Sequence, residues 1–106
     1  MTSERCCQAT NLPDPSDSRA EELAAAFRLL GDPTRLKLLG ILARRDCGDV
    51  CACDLSDALD LTPATISHHM KKLVDAGMVD VERRGRWAHY RLLPGSFEPL
   101  REALQL

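Results

Sequence analysis

Five cysteines carry most of the chemistry that is open to this chain of 106 residues. Cys6 and Cys7 are adjacent near the start, and Cys47, Cys51 and Cys53 form a second group further along. Thiolate is the ligand type that selects soft, thiophilic metals and metalloids over hard cations. All five side chains are therefore candidate ligands of a soft metal or metalloid.

The compartment bears on how these thiols are interpreted. No stretch approaches the roughly eighteen consecutive apolar residues of a membrane span, and residues 1–8 lack the apolar core of a signal peptide. We therefore expect a cytoplasmic protein without a membrane partner. Thiols are kept reduced there, so ligands or redox sensors are a better interpretation than a disulfide framework.

The distribution of charge is more informative than its total, which is −2 at neutral pH. Residues 62–91 contain six Lys or Arg against three Asp or Glu, a local excess of +3, whereas residues 1–61 carry −4. A basic surface confined to one stretch is expected where only that part of a protein meets phosphates.

The chain divides into two predicted regions. Residues 1–17 hold prolines and small polar residues without an apolar period, which predicts a flexible arm that carries Cys6 and Cys7. Residues 18–106 are then one folded domain, opened by a helix with a capping box between Ser18 and Glu21. Gly31 should end that helix.

A second helix is predicted from the pair Asp32 and Pro33 to about residue 43, since Asp caps a first turn and Pro tolerates it. Its expected buried stripe is Leu36, Leu38, Leu39 and Leu42. Residues 50–52 are expected to be extended, and residues 54–59 to form a brief third helix. Its expected inward residues are Leu55, Ala58 and Leu59.

Thr62 and Pro63 repeat the cap-and-proline start, so a fourth helix is predicted to run to about residue 76. Its expected apolar side comprises Ile66, Met70, Leu73 and Val74. Two helices joined by a short turn, the second with small polar and basic groups outward, form a helix-turn-helix whose second member can lie in the major groove.

Residues 78–92 change to a period of two, interrupted by a basic turn around Gly85, which predicts a β-hairpin, or wing. A short closing helix follows, with Phe97, Leu100 and Leu104 as its apolar stripe. The expected fold is mainly α-helical with a small β-hairpin, a winged helix-turn-helix. Exposed apolar stripes on the first and last helices predict a homodimer.

The partner predicted for this fold is double-stranded DNA. The first turns of a recognition helix enter the groove and a basic wing touches phosphates. The predicted DNA contacts are Thr62, Ala64, Thr65, Ser67, His68, Lys71, Lys72, Arg83, Arg84 and Arg86.

Four segments together resemble the ArsR/SmtB family of metal-sensing winged-helix repressors: residues 30–38 (LGDPTRLKL), 50–55 (VCACDL), 65–77 (TISHHMKKLVDAG) and 83–91 (RRGRWAHYR). The resemblance covers roughly residues 20–100. It implies a homodimer, not an enzyme, that sits on an operator and leaves when an inducer binds. DNA binding itself would need no cofactor.

The resemblance also narrows the inducer. The C-terminal site of the family's zinc and nickel sensors needs His, Asp and Glu, but residues 96–106 offer only Glu98 and Glu102. The pair Cys51 and Cys53 resembles the Cys-x-Cys of arsenic, antimony, cadmium and lead sensors. Adjacent arm cysteines resemble actinobacterial-type arsenic repressors, which favours As(III) or Sb(III). Cd(II), Pb(II) and Zn(II) remain alternatives, since several thiols can also form a tetrahedral site.

Other interpretations of the thiols stay open. They could form a redox or persulfide switch, with a disulfide between Cys51 or Cys53 and the arm, or a structural zinc site. A thiol reductase is a further rival, although its usual Cys-x-x-Cys is absent. As the predicted start of the third helix, Cys53 should have its thiolate stabilised by free amide groups. Cys47 is as consistent with an idle residue as with a ligand.

Overall fold

Five α-helices and a three-stranded antiparallel sheet form the part of the chain that this computed structural model describes, residues 11–45 and 48–104. The helices are α1 (Arg19–Leu30), α2 (Pro33–Ala43), α3 (Ala52–Leu59), α4 (Pro63–Asp75) and α5 (Glu98–Ala103). The strands are β1 (Val50–Cys51), β2 (Val79–Arg84) and β3 (Trp87–Leu92), and a 3-10 turn, Pro94–Phe97, precedes α5. None of these described helices is long and apolar enough to cross a membrane.

The starts of the first two helices differ in how well they were predicted. Ser18 already has helical backbone angles and makes no side-chain cap hydrogen bond, so the predicted capping box is wrong. Asp17 instead accepts a hydrogen bond from the backbone N–H of Arg19 at 2.9 Å. The start of α2 is confirmed, because the Asp32 carboxylate accepts from the backbone N–H of Arg35 at 3.0 Å.

The buried stripe of α2 is narrower than predicted. Leu38, Leu39 and Leu42 are buried, but Leu36 is 52% exposed, so its assignment to the core is wrong. At about 100° per residue Leu36 lies on the far side of Leu39 from Leu38 and Leu42, beyond the strip that faces the core.

Helix α3 begins at Ala52, two residues earlier than predicted, and follows directly on β1. Leu55 is fully buried and Leu59 packs against the core, but Ala58 is exposed, so its predicted inward position is wrong. A helix this short and this close to the surface buries only one strip, which here is occupied by the two leucines.

The predicted wing is confirmed as the β2–β3 hairpin, and β1 adds a third strand to its sheet. Gly85 has a φ of +64° at the turn between β2 and β3, a conformation that favours glycine. The sheet order is β1-β3-β2, so the extended segment before α3 pairs with the wing. In this register Val50 faces Tyr90 and Cys51 faces His89, which joins Cys51 to the wing.

The hydrophobic core lies between α2, α3, α4 and the inner face of the sheet. Its fully buried side chains include Leu38, Leu42, Leu55, Ile66, Met70 and Leu73. The predicted apolar side of α4 is thereby confirmed, and Val74 packs against the same core. Burying this side of α4 fixes which side chains the helix turns outward.

Candidate nucleic-acid interface and cysteine site

The turn between α3 and α4 is held by a small set of polar contacts. Asp60 closes α3 with a φ of +54°, a left-handed conformation that Asp tolerates better than most residues. The Ser56 hydroxyl donates to the carbonyl of Leu61, and the Leu61 N–H donates to the Ser56 carbonyl at 3.1 Å. These bonds fix the direction in which α4 leaves α3.

The start of α4 presents a row of small polar groups. Thr62 caps the helix, and its hydroxyl accepts a hydrogen bond from the backbone N–H of Thr65 at 3.3 Å. The two threonine hydroxyls are themselves 3.0 Å apart. On the side of α4 opposite its core contacts, Thr62, Ala64, Ser67, His68, Lys71 and Lys72 are exposed, and Thr65 is partly exposed. Hydroxyl, imidazole and ammonium groups on one exposed helix face are suited to base edges and phosphates.

One hydroxyl of this row also contacts the wing. The Ser67 side chain lies close enough to Tyr90 of β3, a residue that is 6% exposed, to influence its phenol. Burial raises the pKa of the Tyr90 phenol, against smaller opposing effects of Arg83 and of Ser67. The alternation of β3 could have indicated that Tyr90 faces inward, but not that it meets Ser67.

The turn of the wing carries three exposed arginines, Arg83, Arg84 and Arg86, which differ in their partners. Arg84 donates to Glu82 at 2.6 Å and also to Asp49. The hydrogen bonds to Glu82 and then to Asp49 raise the pKa of Arg84 above its ordinary value. Among the described residues no ion pair engages Arg83 or Arg86.

The two lysines of α4 differ in the same way. Lys71 forms an i,i+4 ion pair with Asp75 at 3.1 Å, whereas no described residue pairs with Lys72. Lys72, Arg83 and Arg86 therefore have their charges available to an external anion.

Cys51 and Cys53 lie where the sheet meets α3. Cys51 ends β1 and caps α3 with extended backbone angles, φ −66° and ψ 141°, and its sulfur accepts from the backbone N–H of Cys53 at 3.3 Å. The predicted start of this helix at Cys53 is therefore wrong: the Cys51 sulfur meets a free amide at the helix start, while Cys53 lies inside the first turn.

The sulfurs of Cys51 and Cys53 are joined in a disulfide, with a Cα–Cα distance of 5.2 Å. This differs from the expectation that the thiols are free, and from the predicted disulfide to the arm. The cause is local, because the strand-to-helix turn points both side chains to the same place. In the reduced state, that convergence also suits two thiolates that share one thiophilic centre.

The remaining cysteines, Cys6, Cys7 and Cys47, lie outside the described residues. Within residues 11–45 and 48–104, no group of three or more His, Cys, Asp or Glu is arranged to hold a metal ion. A complete three-thiolate site therefore needs at least one sulfur beyond Cys51 and Cys53.

Two other candidate ligand groups have different surroundings. Glu98 accepts from the guanidinium of Arg101 at 2.9 and 2.7 Å, which lowers the pKa of this carboxyl. His69 lies with its Nδ1 3.8 Å from the Asp32 carboxylate, and its ring meets that of His68 edge-on. This buried nitrogen has no hydrogen-bond partner among the described residues.

The fold and the exposed α4 face define a winged-helix DNA-binding protein. A family model described as "Bacterial regulatory protein, arsR family" matches residues 32–81. The AntR antimony-specific transcriptional repressor is a similar solved structure, with a TM-score of 0.69, 33% identity, and coverage of 84% of this chain and 80% of that one. The chain belongs to the ArsR family of transcriptional regulators.

Curated relatives agree with this assignment. The chain is 40% identical over 72 residues to the arsenical resistance operon repressor of Staphylococcus xylosus, covering 68% of this chain and 66% of the relative. It is 40% identical over 68 residues to the repressor of the same name from Escherichia coli K12, covering 64% of this chain and 56% of the relative. The chain thus spans somewhat less than two thirds of these relatives.

Proposed function

We propose that this protein is an arsenite- or antimonite-responsive transcriptional repressor that binds operator DNA as a homodimer and leaves it when the metalloid binds cysteine thiolates. The observation that carries this proposal is the convergence of the Cys51 and Cys53 sulfurs at the start of α3, in a chain of the ArsR family. The names of the relatives, two arsenical resistance repressors and an antimony-specific one, support the class of inducer.

In this proposal the DNA contacts are those predicted from the sequence, except Arg84. Thr62, Ala64, Thr65, Ser67 and His68 reach base edges from the first turns of α4, and Lys71, Lys72, Arg83 and Arg86 meet phosphates. Arg84, the remaining predicted contact, is held by Glu82 and Asp49. Support comes from the exposure of this face and from the unpaired charges of Lys72, Arg83 and Arg86. Each phosphate contact should add about one unit to the salt dependence of binding.

A homodimer supplies the second α4 for the operator, about one helical turn of DNA away. A broad groove between α1 and α5, lined in part by Leu12, Leu23, Ala26, Leu29 and Leu104, supports this assembly. Leu12 and Leu104 are 59% and 46% exposed in the single chain. A second copy laid in this groove would remove that apolar surface from water.

The ligands of the proposed metalloid site are three of the five candidate cysteines, Cys6, Cys7, Cys47, Cys51 and Cys53, with the sulfurs at the start of α3 as its fixed part. Bound As(III) or Sb(III) keeps a lone pair and takes three thiolates in a pyramid. Cys51 and Cys53 supply two of them once a thiol reductant has given their disulfide two electrons and two protons and has itself been oxidised to a disulfide. The third comes from the arm or from Cys47, within one subunit or between two.

Helix α3 is the element through which such a site acts on DNA binding, because it packs directly against α4. When Cys51 turns its sulfur to a metalloid, α3 loses its sulfur cap and shifts against the recognition helix. By linkage, an inducer that weakens operator binding must itself bind less tightly to the DNA complex, with a coupling of about 1–3 kcal/mol.

The test is operator binding by fluorescence anisotropy at fixed salt, titrated with arsenite, antimonite, Cd(II), Pb(II) and Zn(II) under reducing conditions. Release by arsenite or antimonite at the lowest concentration supports the proposal, and prior release by a divalent ion contradicts the choice of inducer. A variant with Cys6 and Cys7 replaced by Ser should bind the operator normally; failure to respond would assign the third thiolate to the arm, and a retained response would assign it to Cys47. Loss of its DNA binding would mean that the arm is structural.

The disulfide between Cys51 and Cys53 favours one second candidate, a thiol redox repressor of the same fold. In that case peroxide would form the disulfide from two thiols, with reduction of the peroxide to water, and would release the operator without any metalloid. A loss of 2 Da under peroxide, measured by mass spectrometry together with anisotropy, separates the two candidates, since two thiol hydrogens are lost.

A further inference from the structure

Arg84 is the wing residue with the most unusual contacts. It lies at the end of β2, yet it donates to Asp49, 35 positions earlier in the chain. The sheet order β1-β3-β2 puts β2 and the segment leading into β1 on opposite sides of β3. The ion pair therefore crosses the central strand and joins the wing to the segment that carries the cysteine site.

The Asp49 partner of Arg84 lies close to Cys51 in the chain. Asp49 is the residue before β1. Since β1 consists only of Val50 and Cys51, Asp49 stands two positions from Cys51. Only Val50 separates the two residues, so a displacement of the Cys51 backbone should also move Asp49.

The register of the sheet provides a second connection to the same place. Cys51 faces His89, and His89 faces Glu82 on the next strand, so the three residues form one row across the sheet. Directly paired residues project from the same face. Glu82 is the other partner of Arg84, at 2.6 Å, so both carboxylates that hold this guanidinium are tied to the position of Cys51.

Arg91 offers a contrast on the same sheet. It pairs with Asp80 at 2.8 Å, and these two residues face each other within the β2–β3 hairpin. That ion pair joins two strands of the wing and no element outside it. Like the pair of Arg84 with Asp49, it joins a half-exposed arginine to an aspartate.

We infer that Arg84 is a positioning residue that transmits the state of the cysteine site to the wing through Asp49, and that phosphate contacts of the wing fall to Arg83 and Arg86. The inference deepens the proposed function and rests on it for the identity of the inducer. It revises the predicted role of Arg84, whose guanidinium is engaged within the protein.

The first test compares Asp49→Asn with Asp80→Asn, which removes the control ion pair and changes the protein charge by the same amount. Operator affinity is measured with and without arsenite, and arsenite binding is counted separately by protection of thiols from alkylation. We expect normal thiol protection in both variants, but a two- to five-fold smaller release of operator in D49N alone, about the range that one exposed ion pair can carry. Equal release in D49N and D80N would overturn the inference.

The second test does not depend on a metalloid. Trp87 faces Arg84 in the register and is the one tryptophan of the chain, so its emission reports on the wing. Reduction of the Cys51–Cys53 disulfide should shift this emission in the wild type and in D80N, but not in D49N. If arsenite protects no thiol while this pattern holds, the proposed inducer is wrong and the inference stands. An equal shift in D49N, or none in the wild type, refutes the inference.

A third measurement distinguishes positioning from phosphate contact. Arg86→Gln should lower the slope of log affinity against log salt by about one unit. Arg84→Gln should leave that slope nearly unchanged while reducing release by arsenite as D49N does. A lowered slope in R84Q would return Arg84 to the DNA contacts.

Discussion

The two helices of the helix-turn-helix begin with almost the same backbone geometry but with different cap atoms. Thr62 has φ −69° and ψ 153° and caps α4 through a hydroxyl oxygen, whereas Cys51 has φ −66° and ψ 141° and caps α3 through sulfur. Sulfur is a weak acceptor compared with oxygen. The proposed recognition helix is thus fixed by a strong cap, and the helix that begins at Cys51 is held by a weaker one, which in the proposed mechanism a thiophilic ligand displaces.

The largest effect is expected where the two helices share their packing. Leu55→Ala removes a fully buried side chain between α3, α4 and the rest of the core, so the free energy of unfolding should fall by about 2–5 kcal/mol in urea denaturation. Leu36→Ala is the matched control, and its exposed side chain should change stability by no more than about 0.5 kcal/mol. A large loss in L36A would place that residue in an interface.

The next effect concerns the sulfur cap as a ligand. Cys51→Ser and Cys53→Ser should each leave metalloid-free operator affinity nearly unchanged, because serine still caps a helix, but should abolish a coupling of about 1–3 kcal/mol. Operator anisotropy with and without arsenite measures this coupling. Ala52→Ser, between the two cysteines, should respond like the wild type. Full release of C51S by arsenite would mean that the sulfurs of α3 are not ligands.

A smaller effect is expected when the stability contributed by the Thr62 cap is compared with that of the Cys51 cap. Thr62→Ala should lower the free energy of unfolding by about 1 kcal/mol, the usual loss for an oxygen cap. Cys51→Ala, compared under reducing conditions so that no disulfide contributes, should cost less than half as much. Thr62→Ser should retain the wild-type stability. Equal losses in T62A and C51A would mean that the sulfur cap is as strong as the oxygen cap.

The smallest effect belongs to a third helix start, that of α2. The hydrogen bond from the Arg35 N–H, and then the charge of His69, lower the pKa of Asp32. A pKa lower in the folded state stabilises the fold above the unfolded value of 3.8, and this stabilisation is lost as the pH falls through the folded pKa. Asp32→Asn should therefore lose less stability than the wild type between pH 5 and about 2 in urea titrations. Asp57→Asn, at an exposed position of α3, should follow the wild-type profile.

The same comparison explains which elements were predictable. The start of α4 was predicted because Thr before Pro is a local signal that needs no distant partner, and the same holds for Asp32 before Pro33. The start of α3 was predicted two residues late, because cysteine is not a usual cap residue. The capping box at Ser18 failed because Asp17, one position earlier, offered a better acceptor.

The candidate site also has features that local sequence predicts and contacts that it does not. The exposed face of α4 followed from the helical period, and the basic turn of the wing from Gly85 and its neighbours. The approach of Ser67 to Tyr90 and the Arg84–Asp49 pair bring together side chains far apart in sequence, so no spacing rule could indicate them. The ligand roles of Cys6, Cys7 and Cys47 stay predictions.

By itself the sequence determined the helix starts at Asp32 and Thr62, the wing turn and the outward face of α4, because each follows from neighbours within one or two turns of chain. Only the tertiary structure decided that Cys51 pairs with the wing strand, caps α3 and lies two residues from the partner of Arg84. Those contacts depend on strand order and packing, which are set by the whole core and not by any local run of residues.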